Sequence, residues 1–157
     1  MNTAATEPDI TELGVHDCWH YLRSTSLCRI AFTNGGTVEN YPVNFIPTNG
    51  TLLVRTGEES KLAALAEREP ADRTKVAVEA DGMNQYGTIA WSVILKGHAV
   101  AVTDAEETLD AMGAGLSPWQ PGRKNVLIRI TPEDISGRRF VIAAPTHWWP
   151  PREPSAD

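Results

Sequence analysis

The chain is poor in cysteine and has no long apolar segment. Its two cysteines, Cys18 and Cys28, have no companions at metal-ligand spacing, and a single pair does not make a disulfide framework. We therefore interpret them as buried free thiols in a reducing compartment. No apolar run approaches the roughly 20 residues that span a bilayer, and the polar stretch from Met1 to Asp9 is unlike a signal peptide. These absences predict a cytoplasmic protein with no membrane partner.

Positive charge is also scarce. Fourteen Lys and Arg residues face 20 Asp and Glu residues, which gives a formal net charge of −6. A nucleic-acid partner would require a basic stripe, so none is expected. A local basic pocket for one small phosphate remains compatible with this balance. With 157 residues, 41% of them hydrophobic, the chain is long enough for one domain with a real core.

Several catalytic and ligand-binding motifs are missing. His16 and His20 are spaced to share a helix face, but no second cluster of ligands accompanies them, so no metal site is predicted. The sequence has no Gly-x-Ser-x-Gly elbow. It also has no pairing of a cysteine with a histidine that indicates a nucleophile and its base. The Gly113-Ala114-Gly115 turn follows a predicted helix rather than a strand, which argues against a dinucleotide fingerprint.

The segment from Leu52 to Leu65 predicts a strand, a tight turn at Gly57 and a short amphipathic helix. The start of a helix has free N–H groups and partial positive charge, which suit a phosphate. Arginine adds a planar fork of donors and lysine a mobile point charge. We therefore predict a phosphate site formed by Arg55, Thr56, Ser60 and Lys61. An ordinary strand-to-helix turn with a serine cap is the alternative interpretation.

The strand before this segment contains a proline. Val38–Ile46 has a strand pattern interrupted at Pro42, which cannot donate to a sheet ladder and so predicts an edge position or a bulge. A turn over residues 47–50 joins it to the Leu52 strand, and Gly97 suggests a bulge in a later strand. Strands joined mostly by tight turns favour an antiparallel barrel over a parallel sheet. The predicted fold is mainly β (α+β), with short helices at 11–23, after Ser60 and at 104–112.

Composition divides the chain into a folded part and two tails. We predict a flexible tail at residues 1–10, a domain at 11–143 and a Pro-rich tail at 144–157. Two closing strands are predicted at the end of the domain, over Val126–Ile130 and Arg138–Ile142.

Several of these segments occur in the order found in a known family. They are a Pro-Val-Asn strand (42–44), an Arg-Thr strand end (55–56), a Ser-Lys-Leu helix start (60–62), a Trp-Ser strand (87–97) and a Pro-Trp loop (116–122). In this order they resemble the small bacterial members of the pyridoxamine 5′-phosphate oxidase-like proteins, the flavin-binding split β-barrel family. The resemblance covers roughly residues 12 to 143.

The resemblance implies a split β-barrel with Greek-key-like antiparallel strands. It also implies a homodimer that binds two molecules of flavin mononucleotide (FMN) in clefts between the subunits. The phosphate is then expected at Arg55, Thr56, Ser60 and Lys61, and the ring at Pro42, Val43, Asn44, Trp91 and Ser92. Trp119 is a further candidate near the cleft, and a core position is the alternative for Trp91. The flavin would supply hydride chemistry for a small-molecule substrate, so no catalytic acid or base is nominated.

Two alternatives remain open. A reductase using the deazaflavin coenzyme would have the same fold, but its polyglutamate tail needs an additional basic groove that this acidic chain does not clearly show. A non-catalytic flavin carrier or sensor is the other. Vitamin B6 oxidation is not expected, because the chain is shorter than genuine pyridoxamine phosphate oxidases and their substrate-phosphate residues are not found near its C-terminus.

Overall fold

The computed structural model describes residues 9–57, 59–68, 74–104, 106, 110–111 and 126–142. Strands dominate this part of the chain, and two helices lie between them. In chain order the elements are β1 (Ile10–Leu13), α1 (Val15–Leu22), β2 (Leu27–Asn34), β3 (Thr37–Thr48), β4 (Thr51–Thr56), α2 (Lys61–Arg68), β5 (Lys75–Met83), β6 (Ile89–Ala101) and β7 (Val126–Val141).

The strands form one antiparallel sheet that closes on itself. Their order is β1-β7-β4-β3-β2-β5-β6, and β6 also pairs with β7. β6 occupies one edge of β7 over most of its length. On the other edge, β4 pairs with the first half of β7 and β1 pairs with the second half. The sheet confirms the predicted mainly β split barrel with antiparallel strands.

Short-range sequence signals set the hairpins. Thr48 pairs with Thr51, so Asn49 and Gly50 form a two-residue turn between β3 and β4. Both turn residues have positive φ, 47° and 73°, which asparagine and glycine tolerate better than other residues and which a type I′ hairpin requires.

The core fills the barrel because one face of each strand is apolar. Buried and less buried residues alternate along β2, with Cys28, Ile30 and Phe32 inside. Helix α2 contributes Leu62, Ala63 and Ala66 to the same cluster. Further fully buried members from five other strands are Phe45, Val54, Val78, Leu95, Ile128 and Ile130. This rigid interior fixes which side chains of each strand point outward.

Pro42 lies where β3 is locally an edge strand. It pairs with Arg29 of β2, whereas the pairing of β3 with β4 begins only at Phe45. The predicted edge position is therefore confirmed. The predicted irregularity at Gly97 is confirmed as well, by a register shift between Lys96 and Gly97 where β6 pairs with β7.

Two sequence-based expectations differ from the structure, and a third lies mostly outside the described residues. The first helix begins at Val15 rather than Thr11, because residues 11–13 pair with β7 as part of β1. The two predicted closing strands are one strand, β7, because β6 pairs with it almost throughout. Most of the third predicted helix lies outside the described residues. Its described members Glu106, Asp110 and Ala111 are helical, and the Asp104 carboxylate accepts a hydrogen bond from the Glu106 N–H at 2.8 Å.

Candidate functional site

The start of α2 has the capped geometry that the sequence predicts. The Ser60 hydroxyl oxygen accepts a hydrogen bond from the Ala63 N–H at 3.0 Å, and the Ser60 N–H donates to the Gly57 carbonyl at 3.1 Å. Ser60 is thus the N-cap residue, and its cap satisfies one of the free donors of the first turn. The remaining N–H groups of that turn keep the partial positive charge that attracts an anion.

Lys61, the first residue of α2, forms an ion pair with Glu39 of β3. The lysine side chain is 53% exposed, whereas only 15% of the glutamate side chain is exposed. The hydrogen bond to Glu39 raises the pKa of Lys61 above its usual value. Lys61 is therefore a firmly charged ammonium, anchored on its inner side and open to solvent on the other.

Asn44 and Arg55 lie side by side on the outer face of the barrel. Each is one residue beyond the Phe45–Val54 pair on its own strand, and its neighbours there point into the core. Within the described part of the chain, the Asn44 Oδ1 atom is buried and accepts no hydrogen bond. Leaving a buried amide oxygen unpaired costs about 1–3 kcal/mol. A bound molecule that donates a hydrogen bond to this atom would recover that free energy.

Three of the predicted site residues point into the core instead. Val43 and Thr56 are each 5% exposed, and Trp91 is 7% exposed. The Trp91 ring stacks on Tyr21 of α1, with ring centroids 5.0 Å apart and an angle of 27° between the planes. In this chain the Trp91 side chain is part of the core, and a contact with a ligand on the outer face would have to come from its backbone.

Ser92, the residue after Trp91, points outward but lies far from Asn44 within one chain. Pro42, Arg29, Glu79 and Ile94 form one row across β3, β2, β5 and β6. Three strand spacings of about 4.8 Å separate the ends of this row by roughly 14 Å. Asn44 and Ser92 lie two residues from this row on β3 and β6, displaced to the same side of it. A similar distance therefore separates them, and one chain does not bring them together.

The predicted residues therefore divide into three groups. Pro42, Asn44, Arg55 and Ser92 lie on outward positions, Val43, Thr56 and Trp91 lie inside, and Ser60 and Lys61 open α2. Trp119, the further candidate, lies outside the described residues.

The sequence reasoning missed two residues that contact or adjoin the predicted site residues, Glu39 and Arg138. Glu39 shares the core-facing phase of β3 with Val43 and Phe45, and a carboxylate at such a position is a signal that it has a cationic partner. Arg138 of β7 pairs with both Ser92 and Glu12, and lines the same cleft as Ser92. It lies in the second half of β7, where no motif singled it out.

The described ranges contain neither a metal-binding cluster nor a membrane-spanning helix. No three His, Cys, Asp or Glu side chains there are placed to hold a metal ion together. Neither described helix is both long enough and apolar enough to cross a membrane.

Comparison with known proteins places these observations in a family. The family model described as pyridoxamine 5′-phosphate oxidase matches residues 15–139. An uncharacterised protein of Mycobacterium tuberculosis, Rv0080, is 30% identical over 139 residues, which cover 88% of this chain and 90% of that protein.

Two solved structures are similar as well. The FAD binding protein from Mycobacterium smegmatis is 35% identical with a TM-score of 0.67, covering 84% of this chain and 99% of that one. A conserved protein of unknown function from Corynebacterium diphtheriae is 32% identical with a TM-score of 0.64, covering 84% and 98%. The barrel, the cap at the start of α2 and these matches agree: the chain belongs to the pyridoxamine 5′-phosphate oxidase-like split-barrel family, which includes flavin-binding proteins.

Proposed function

We propose that this chain is a flavin-dependent oxidoreductase that works as a homodimer and holds the FMN moiety of its cofactor at the start of α2. One observation carries the proposal: the buried, unpaired Asn44 Oδ1 next to Arg55, close to a capped helix start. The similar protein from Mycobacterium smegmatis is named for binding FAD, of which FMN is one half.

The residues fit such a cofactor in charge and polarity. Lys61, Arg55 and the free N–H groups of the first turn of α2 would hold the phosphate. Asn44 would offer its carbonyl oxygen to an N–H or O–H donor of the flavin, with the backbone of Pro42 and Val43 beside it. Thr56, buried at the end of β4, keeps Arg55 at the site by anchoring the strand in the core.

The flavin, when bound, would supply the hydride chemistry, and the protein would supply binding and orientation. Two features of the chain serve that task. Antiparallel pairing on both sides holds β4 rigid next to the helix start. The Lys61–Glu39 pair fixes the position of a cation on an otherwise flexible side chain.

A second copy of the chain would complete the site. An apolar row crosses the outer face beyond Ser92, formed by Met83, Ala90, Phe140 and Ile10 in four neighbouring strands. Met83 is 67% exposed and Ile10 is 54% exposed, so this row offers apolar area to a partner. A twofold interface on this face would bring Ser92 and Arg138 of one subunit towards Asn44 of the other.

The test is to identify and measure the bound cofactor. The absorbance spectrum and mass of whatever co-purifies should be those of a flavin, and titrations of cofactor-free protein should rank FMN and FAD well above riboflavin, which lacks the phosphate. Oxidation of a reduced nicotinamide with a flavin-bound sample would establish enzymatic turnover and exclude a mere carrier. A co-purifying deazaflavin, or equal affinity for riboflavin and FMN, would contradict the proposal.

A further inference from the structure

A cleft opens on the outer face of the barrel at the point where β1 ends. The pairing of β1 with β7 stops at Leu13, which lies opposite Gly137, whereas β6 continues along the other edge of β7. Within the described ranges, no strand covers the first edge between this point and the residues that pair with β4. The cleft formed there has a volume of about 330 Å³, which suits a small molecule.

A polar row crosses this cleft between apolar side chains. Glu12, Arg138 and Ser92 form the row, one residue from each of β1, β7 and β6. Branched aliphatic side chains line the cleft on both sides of the row, Ile10 on one side and Leu13, Ile94 and Ile135 on the other. Ile10 is 54% exposed and Ile94 is 39% exposed, so a ligand could still remove apolar area from water.

Glu12 and Arg138 both line the cleft but do not form an ion pair with each other. They are directly opposite residues of two antiparallel strands, with Cα atoms roughly 5 Å apart. Opposite charges in such positions commonly interact. Yet in the described part of the chain neither side chain takes part in an ion pair or a side-chain hydrogen bond. Both charges are therefore available to a ligand.

The chemistry of these two side chains defines the ligand. The Arg138 guanidinium is a planar fork of donors that can bind a carboxylate through two parallel hydrogen bonds. The Glu12 carboxylate accepts hydrogen bonds and suits an ammonium group. The two groups stand on neighbouring strands, so a ligand that meets both must carry its own two charges close together. An α-amino acid carries them on adjacent atoms, and an aliphatic side chain would suit the apolar walls.

We infer that this cleft binds an aliphatic α-amino acid, with its carboxylate at Arg138 and its ammonium at Glu12. The side chain of the ligand lies against Ile94 and Ile135. This site goes beyond the proposed flavin function and needs no cofactor, because every residue in it belongs to one chain. The proposed twofold interface would bring the cleft towards the partner's cofactor, so the amino acid would be held near the flavin.

The first experiment titrates cofactor-free wild type with three compounds that differ in their charged groups. Free leucine has both charges, isocaproate lacks the ammonium, and isoamylamine lacks the carboxylate. Backbone amide shifts in heteronuclear NMR spectra give the dissociation constants. Leucine should bind about tenfold more tightly than either analogue, because each analogue loses a charged hydrogen bond. If one analogue bound as tightly as leucine, or if none of the three bound, the inference would be overturned.

Two variants then assign the charges. Glu12 and Arg138 are exposed, so exchanging either for glutamine should leave the barrel folded. Arg138→Gln should weaken leucine binding by about tenfold and leave isoamylamine binding unchanged. Glu12→Gln should weaken leucine binding by a similar factor without weakening that of isocaproate. A loss that was the same for all three compounds would contradict the assigned roles.

Arg139→Gln is the matched control for Arg138→Gln. Arg139 is also an exposed arginine of β7, but it points to the opposite face of the strand. This variant should bind all three compounds as wild type does. If it weakened leucine binding as much as Arg138→Gln, the attraction would be general to the surface and the site would be wrong. Flavin titrations of wild type test the proposed function separately, since none of these measurements contains a flavin.

Discussion

Gly97 of β6 lies so close to Thr131 of β7 that a Cβ atom on Gly97 would be 2.0 Å from the Thr131 carbonyl oxygen. The contact is with backbone, which cannot rotate away as a flexible side chain can. It occurs at the register shift between Lys96 and Gly97, where β6 and β7 close the barrel. A glycine is therefore required for closure at this point.

Gly97→Ala should lower the free energy of unfolding by about 3 kcal/mol or more, since the two strands must separate to admit the methyl group. Urea unfolding followed by circular dichroism measures the loss. Gly14→Ala is the control, because a Cβ atom on Gly14 meets nothing within 4 Å and its φ of −68° suits alanine. If both variants were equally stable, the close approach at Gly97 would be wrong.

Asn44→Leu should have opposite effects on stability and on cofactor binding. The exchange removes the unpaired buried oxygen, so the cofactor-free protein should gain about 1–2 kcal/mol. The same change removes the acceptor offered to a flavin, so FMN affinity should fall. Asn40→Leu is a matched control, since Asn40 is exposed on the same face of β3 and should show neither effect. A destabilised Asn44→Leu protein would mean that Oδ1 already has a partner.

Lys61→Gln and Arg55→Gln should each weaken FMN binding by about 1.5–3 kcal/mol, the usual contribution of a hydrogen bond to a charged group. Riboflavin binding should hardly change, because the lost contacts are to the phosphate. Lys75→Gln provides the control, since Lys75 is also an exposed lysine in an ion pair, with Glu133. Parallel losses for FMN and riboflavin would show that the phosphate lies elsewhere.

The stability of the cofactor-free protein should fall as the pH rises from about 4.5 to 7. Burial, followed by a hydrogen bond with Asp81, raises the pKa of Glu79 from 4.5 to about 7. The folded state therefore holds a proton that the unfolded state releases, and the stabilisation is complete below pH 4.5 and lost through pH 7.

The change should be about 1 kcal/mol, less than the full shift implies, because a third of the Glu79 side chain is exposed and Arg29 lies 3.7 Å away. Unfolding titrations of wild type and Glu79→Gln between pH 4 and 8 measure it. The variant should lack this component of the pH dependence. An identical slope in both proteins would assign the effect to another group.

The parts of the fold that sequence predicted are those that depend on neighbouring residues. The Asn49–Gly50 turn and the Ser60 cap each follow from the chemistry of a few adjacent positions. The strand character of residues 11–13 and the continuity of β7 depend on pairing with distant strands, which no local pattern records. The sequence therefore predicted the barrel class better than its strand boundaries.

At the site, too, features set by neighbouring residues were predicted and features set by distant residues were not. Arg55, Ser60 and Lys61 were identified because they are close in sequence and chemically suited to a phosphate. Glu39 was missed because it reaches Lys61 from 22 residues away. The inward direction of Trp91 depends on the strand phase set by Val93 and by the Tyr21 ring, and a sequence motif does not reveal it.

The final prediction concerns the dimer and its dependence on the cofactor. If a second copy covers the outer-face row that contains Met83 and Phe140, a charge placed there should break the dimer while leaving the barrel intact. Met83→Glu places a carboxylate on a side chain that is 67% exposed in the single chain, so it should not disturb the core. Light scattering over a dilution series should show a dimer for wild type and a monomer for Met83→Glu. Flavin should raise the wild-type dimer fraction and melting temperature, because a ligand bound across two subunits stabilises their association by mass action.

A matched control for this variant is Val38→Glu, since Val38 is 74% exposed but lies at the start of β3, away from that row. It should remain a dimer. The Met83→Glu monomer should lose most of its flavin affinity, because the Ser92 and Arg138 side chains of the partner no longer approach Asn44. A monomer that bound flavin as tightly as wild type would show that one chain is sufficient, and would leave the start of α2 as a site contained within a single subunit.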